Sequence, residues 1–450
     1  MVKLLRFLTL IHGQIDYMDR FKYTELIKWK NSTKRRPLIL FGARQVGKTW
    51  LLKEFGKREY KKTAFISFDR NDAACNLMKK EKSAAKLLLG LSALTGIDIT
   101  RNDTLVILDE IQDCPEALER LKVFAEDACD IHIAACGSLL GIALHQGVSY
   151  PVGKVDEITL YPMCFDEFLC ALGKTQMHDI LLSQDWSMIS TLKTEYIDFL
   201  RQYYYVGGMP AAVNAFINGE GLNAVRTEQK LILNDYDRDF SKHASARIVP
   251  RIRMVWQSIV SQLTKENKKF IFGAIKKGAR ASEFEEAIQW LIDAGIIYKV
   301  NRVTSVQMPL KFYEERDAYK LFILDVGLMG AMAEVSAGQV LVENNIFKEY
   351  KGAFTEVYVY SQLVQTGIPV FYHSVERSRI ELDFVIQLYD NVYPLEVKAE
   401  ENVKAKSLKQ FINTHTNLTG LRFSMKDYEK QDWVENIPLY AFKDYIENRK

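Results

Sequence analysis

From residue 36 onward, short apolar runs alternate with amphipathic stretches. PLILFG (37–42), TAFISFD (63–69), TLVILDE (104–110), IHIAACGS (131–138) and EITLYPM (157–163) read as five strands. Helices are expected between them, one from about Lys48 and one opening near Pro115, where proline suits a first turn. Unbroken apolar runs, as opposed to alternating ones, fit a parallel sheet covered by helices on both faces. Residues 165–260 read as mostly helical and are broken at YYYVGGMP (203–210), where Gly-Gly and a proline force a turn. The stripe Phe284, Ile288, Leu291, Ile292, followed by an alternating run after Gly295, predicts a small helical unit and a β-hairpin within 262–310. That order is compatible with a winged helix. Residues 341–450 return to mixed α/β: a helix around 354–365, then FYHSV, RIELDFVIQ (379–387) and VYPLEVKAE (392–400).

A chain of 450 residues exceeds one compact core, so two or three domains are expected. Ten prolines and 24 glycines are too few for a disordered or collagenous chain. The net charge is only +3, but residues 1–62 carry +11, residues 241–280 carry +9, and the remainder carries −17. The distribution of charge is therefore more informative than its sum. Cysteines 75, 114, 129, 136, 164 and 170 form no CxxC pair and have no histidine at zinc-finger spacing, so they read as buried hydrophobes of a reducing compartment. The longest nearly apolar run, Leu87 to Ile97, is about half of what a bilayer crossing needs. In MVKLLRFLTLI, Arg6 interrupts the apolar stretch and no small-residue cleavage site follows, which argues against a signal peptide. Residues 1–17 are set aside as an extension, with Met18 an alternative start, and a cytoplasmic location without membrane contact is expected.

GARQVGKT is Gly42-x-x-x-x-Gly47-Lys48-Thr49 between a strand and a helix, the context of a P-loop. Its glycines let backbone N–H groups turn toward a phosphate, and the helix N-terminus adds positive potential. The loop Gly42, Ala43, Arg44, Gln45, Val46, Gly47, with Lys48, Thr49 and Trp50 after it, is the expected ATP-binding segment. Lys48 is expected to bridge the β- and γ-phosphates and Thr49 to ligate Mg²⁺. The run Leu105–Leu108 ends in Asp109 and Glu110, where an open α/β sheet binds its ligand. Asp109 is assigned to Mg²⁺ through water and Glu110 to polarising the attacking water. Glutamate in second place favours an ATPase over a guanine switch, and no Asn-Lys-x-Asp motif occurs. Ser138, ending the next strand, is the candidate sensor of the γ-phosphate. Arg44, Arg238, Arg247, Arg251 and Arg253 are the candidate arginine fingers, with no motif to choose among them.

A second constellation lies near the carboxyl end. Alternation puts Glu381 and Asp383 on one strand face, and Glu396 and Lys398 on one face of the next strand. Glu356, on the preceding helix, is a further carboxylate. Glu356, Asp383 and Glu396 suit Mg²⁺, and Lys398 can orient or deprotonate a water, which is the chemistry of phosphodiester hydrolysis. An amphipathic hairpin with a solvated charged face is the alternative.

RRPLILFGARQVGKTWLL, TLVILDEIQ and AACGSLL resemble prokaryotic AAA-family ATPases whose P-loop reads G-x-R-Q-x-G-K-T. LYPMCFDEFL resembles the segment after that family's last core strand. YYYVGGMPAAV and LFILDVGLM resemble the C-terminal domain of unknown function usually fused to it. The resemblance covers about residues 18–450. It implies an α/β P-loop NTPase core (AAA-type parallel sheet) over 18–165, a helical segment 166–250 completing the ATPase module, a winged-helix-like domain 251–335, and a restriction-endonuclease-like PD-(D/E)xK α/β domain 336–450. Gly42, Gly47, Lys48, Thr49, Asp109 and Glu110 match its ATPase motifs, and Glu356, Asp383, Glu396 and Lys398 match its nuclease-like pattern. Related ATPases often have asparagine where this chain has Ser138.

The expected function is a Mg²⁺-dependent ATPase whose nucleotide state controls a nucleic-acid-binding or nuclease-like C-terminal domain, with DNA approached through residues 241–280 and the winged-helix-like domain. The alternative is an ATP-dependent switch that binds a protein partner, its nuclease-like fold idle. Tyr203, Tyr204, Tyr205 and Trp256 read as core, with a partner interface as the competing assignment.

Overall fold

The computed structural model describes residues 20–100, 102–145, 150–264, 269–341, 348–375, 380–400 and 406–450. The expected extension 1–17 and Met18 lie outside the described residues, as do 265–268 of the basic segment. The chain forms two compact units, one reaching Tyr161 and including Asp293–Ile296, the other comprising Pro162–Ile292 and Ile297–Lys450. No helix among the described residues is long and apolar enough to cross a membrane.

The first unit is built on five parallel strands: β1 (Leu38–Phe41), β2 (Lys62–Ser67), β3 (Thr104–Asp109), β4 (His132–Cys136) and β5 (Asp156–Thr159). Their order is β2-β3-β4-β1-β5. All four neighbouring pairs are parallel, as the unbroken apolar runs predict. Every residue of β3 is buried. Val106 and Leu108 share one core cluster with Leu118, Leu121 and Phe124 of the helix Pro115–Asp127, which opens on its proline. Burial of both faces of a central strand stabilises by roughly 1.5–3 kcal/mol per large apolar side chain. It also fixes where the strand ends, and so where Asp109 emerges.

The second unit begins with helices and ends in an eight-stranded sheet. Its strands are β6 (Ile297–Val303), β7 (Glu314–Ile323), β8 (Val370–Ser374), β9 (Glu381–Leu388), β10 (Asn391–Val397), β11 (Gly420–Ser424), β12 (Glu429–Lys430) and β13 (Val434–Pro438). Their order is β12-β13-β11-β10-β9-β8-β6-β7. The helix expected within 262–310 is Ala281–Asp293, but the hairpin runs beyond that range: β6 pairs antiparallel with β7, which starts at Glu314. That hairpin continues the C-terminal sheet through the pair Arg302–Tyr372. The boundary expected at 335/336 therefore falls inside one unit. The helical stretch 166–250 also groups with this unit and not with the ATPase core. The reason is packing: Phe165, Tyr203 and Tyr204 meet Tyr358 at ring separations of 6.4, 5.8 and 5.3 Å, and the Phe165 N–H donates to Gln362. Tyr203, Tyr204, Tyr205 and Trp256 are all buried. They are core, and the competing interface assignment falls away.

The stretches YYYVGGMP and LFILDVGLM form two halves of one lock. Asp325 caps the helix Val326–Met332 by accepting from the Leu328 N–H at 2.8 Å, and accepts from the Gly208 N–H at 2.6 Å. Gly207 has φ +72°, and a Cβ on Gly208 would lie 2.0 Å from the Met163 carbonyl oxygen. Neither glycine tolerates a side chain. Burial raises the Asp325 carboxyl to about 6, although the backbone donors at Gly208, Leu328 and Gly327 oppose the shift. The folded chain thus holds this proton more tightly than the unfolded one. The part of its stability that is linked to the proton is complete below about pH 4 and is lost as pH rises through about 6, while the hydrogen bonds to its oxygens remain. Asp325→Ala should cost about 2–4 kcal/mol at neutral pH, because two buried N–H donors lose their acceptor. Urea unfolding of the variant checks it, and an unchanged midpoint would refute the lock.

Candidate functional site

The first site grows from the end of β1. Gly42 sits at φ +142°, and a Cβ there would lie 2.2 Å from the Leu160 carbonyl oxygen, so glycine is required. Gln45 (φ 67°) and Gly47 (φ 96°) complete the turn into the helix Lys48–Glu59. That helix starts with no side-chain cap and no acidic residue in its first turn. Its opening N–H groups therefore suit an anion. Ala43 and Val46 are buried and shape the loop, Arg44 is half-buried within it, and Trp50 is exposed one residue beyond Thr49.

Lys48 is 7% exposed, and its Nζ donates to the carbonyl oxygens of Gly42 and Ala43, both at 2.8 Å. Burial lowers its ammonium to about 8, against the upward pull of Cys136, Glu110 and Asp109, while Arg44 lowers it further. Thr49 Oγ1 donates to Asp109 Oδ1 at 2.9 Å across 60 residues of chain, and the Cys136 thiol donates to the same oxygen at 2.9 Å. Glu110 takes the left-handed conformation, φ 49° and ψ 47°. Its Oε2 accepts from the Ser138 N–H at 3.2 Å, the Ser138 hydroxyl at 3.1 Å and Gln112 Nε2 at 2.6 Å. The structure thus gathers Lys48, Thr49, Asp109, Glu110 and Ser138 around the P-loop.

Two residues escaped the sequence reading. Arg20 is buried and donates to the carbonyl oxygens of Val46 (2.8 Å) and Tyr161 (2.6 Å), holding the loop from behind. Gln112 reaches Glu110 because Gly137 leaves room, a Cβ there lying 2.0 Å from Gln112 Oε1. The stretch DEIQ contains that glutamine, but no local signal marks Arg20. Of the candidate arginines, Arg238, Arg247 and Arg253 are ion-paired within the second unit to Asp235, Glu286 and Asp237.

The second constellation lies on β9, β10 and the helix Lys348–Leu363. The antiparallel pair Phe384–Leu395 sets Asp383 opposite Glu396. Asp383 Oδ2 accepts from the Val397 N–H at 2.7 Å, and Lys398 pairs with Glu396 at 2.5 Å. Lys320 of β7, buried and absent from the expected set, pairs with Glu381 at 2.7 Å. Burial alone would lower the Lys320 ammonium, yet Glu356, Glu381 and Asp383 hold it above its ordinary value. Among the described residues, only Asp166, His178 and Asp444 bring three ligand atoms within 4.8 Å of one another. Glu356, Asp383 and Glu396 are not such a group, and Lys398 is paired with Glu396.

A glycine-rich loop at the carboxyl edge of a parallel sheet, facing a strand-end aspartate, defines a P-loop ATPase fold. Residues 34–169 match the family model of the AAA domain, 197–339 a domain of unknown function (DUF8612) and 351–442 a domain of unknown function (DUF4143). The chain thus carries an AAA-type ATP-binding domain over 34–169 and a C-terminal domain of unknown function. Among solved structures it is similar to the Aeropyrum pernix Orc1 protein in complex with DNA, at 14% identity and TM-score 0.28, covering 72% of this chain and 95% of that one. It is also similar to Cdc6p from Pyrobaculum aerophilum, at 12% identity and TM-score 0.25, covering 72% and 96%. No curated protein matches it.

Burial, with Asp383 and Glu356 adding to it against Lys398, raises the Glu396 carboxyl to about 7. Carbon-13 NMR should show this carboxyl titrating near about 7, and lower in Asp383→Asn, where the facing negative charge is gone. A midpoint in the ordinary carboxylate range would show that the cluster is solvated.

Proposed function

We propose that the chain is a Mg²⁺-dependent ATPase whose nucleotide state controls a nucleic-acid-binding C-terminal region. The observation that carries the ATPase reading is a buried ammonium, Lys48, held by two neutral carbonyls. Phosphate oxygens are the stronger acceptors for it. Thr49 and Asp109, already hydrogen-bonded, supply the hard oxygens that Mg²⁺ requires, and Mg²⁺ when bound neutralises phosphate charge. Glu110 is the base that orients water, and Ser138 with Gln112 holds its carboxylate until the site is filled. Lys48→Ala should abolish nucleotide binding. Glu110→Gln should retain binding while hydrolysis falls by about 10²–10⁴-fold. Radiolabelled ATP binding and phosphate release check both, and full turnover in Glu110→Gln would overturn its role.

The nucleic-acid reading rests on residues 241–280. Arg247 and Arg253 are neutralised by Glu286 and Asp237, whereas Lys242, Lys276, Lys277 and Arg280 are exposed. We expect binding of duplex DNA that weakens steeply with salt, through counterion release. Replacing these four by alanine should flatten the salt dependence by up to about four phosphate contacts. Fluorescence anisotropy in a salt series checks it, and no binding by the parent at about 50 mM salt would refute it.

The carboxylate–lysine cluster is the proposed phosphodiester-cleaving centre, with Glu356, Asp383 and Glu396 as ligands of Mg²⁺ and Lys398 on the attacking water. A second reading, a partner-binding switch with this centre idle, is favoured by one observation: Lys398 is engaged by Glu396 at 2.5 Å.

A further inference from the structure

Three buried side chains that neither site uses meet in the second unit. Asp166 comes from the helix Phe165–Ala171, His178 from Thr175–Ser183 and Asp444 from Phe442–Glu447. Each offers a ligand atom, and these atoms lie within 4.8 Å of one another. All three residues are at least nine-tenths buried.

The local charge is lopsided. Lys443 Nζ lies 3.2 Å from Asp166 Oδ2 and 3.3 Å from Glu447 Oε1, and supplies one positive charge. Against it stand Asp166, Asp444, Glu447 and the buried Glu167, whose Oε2 is committed to the Cys164 N–H. Asp444 is 2% exposed, and its Oδ2 has no hydrogen-bond partner. An unmatched carboxylate in a dry interior calls for a proton or a cation.

A shared proton would need only the two carboxylates. The imidazole among them distinguishes a cation site. His178 is buried among them, and a neutral imidazole is a common ligand of transition metals. Its Nδ1 lies 3.7 Å from Cys170 Sγ, a contact that orients the ring. Two carboxylate oxygens and one imidazole nitrogen are a donor set for zinc or a similar divalent transition metal, and poor for magnesium.

We propose that Asp166, His178 and Asp444 form a buried binding site for a divalent transition metal, zinc by preference, which ties the C-terminal helix to the helices that open the second unit. Lys443 is the built-in competitor for Asp166.

The test uses the untagged full chain, stripped by chelator and titrated with Co²⁺ and then Zn²⁺. Visible d–d bands of tetrahedral Co²⁺, displaced by Zn²⁺, are expected. They should vanish in His178→Gln and Asp444→Asn, persist in Glu396→Gln, and appear at lower Co²⁺ in Lys443→Met. X-ray absorption at the zinc edge of the parent chain should show imidazole scattering, which neither the P-loop nor the carboxylate–lysine cluster can supply. This measurement decides the matter even where a variant fails to fold. No uptake by the parent chain at micromolar metal, bands surviving in His178→Gln, or a zinc shell of oxygen alone would overturn the proposal.

Discussion

A buried ammonium is the constraint around which the first unit is arranged. Desolvating Lys48 costs several kcal/mol unless acceptors replace the lost water. The chain provides them from its own loop, the carbonyls of Gly42 and Ala43. Those carbonyls point inward only because Gly42 adopts a φ closed to other residues and lies against Leu160. Arg20 then holds the loop from outside through Val46 and Tyr161. Moving any of these members would leave the ammonium without acceptors.

The acidic side follows from the sheet order. β4 lies between β1 and β3, so Cys136 can reach Asp109 while Ser138 reaches Glu110. Thr49 closes the circuit from the helix after the loop. Glu110 pays for its position with a left-handed backbone, and the reward is a carboxylate held by three donors. Strain at a non-glycine residue persists only where surrounding bonds over-determine it.

The loop and the strand-end acids were legible because their signals are local: fixed glycine spacing, and an apolar run ending in Asp109-Glu110. The five parallel strands were legible for the same reason. Arg20, Lys320 and Asp325 were not, since each acts on a segment far away in sequence. The hairpin β6–β7 was readable as a hairpin, but its membership of the C-terminal sheet turns on the single pair Arg302–Tyr372, which no periodicity encodes. Asp383 and Glu396 were correctly set on facing strands. Their engagement with lysines was not legible, because one of these, Lys320, lies in an earlier strand and pairs with Glu381.

The two sites named from sequence have opposite electrostatic character, and that contrast is itself an argument about ligands. Lys48 donates to neutral carbonyls at the uncapped start of a helix, an environment completed by an anion. Around Glu396 four carboxylates (Glu356, Glu381, Asp383, Glu396) face two ammonium groups (Lys320, Lys398), and the Mg²⁺ proposed above would complete that set. Internal pairing lowers the cost of each imbalance without removing it, as the raised Glu396 carboxyl and the lowered Lys48 ammonium both record. A fold selected for stability alone would fill such places with apolar side chains, which is often neutral or better. Ionisable groups kept buried by specific residues are therefore better explained by a ligand than by stability, and in the first site the uncapped helix start and Lys48 suit an anion.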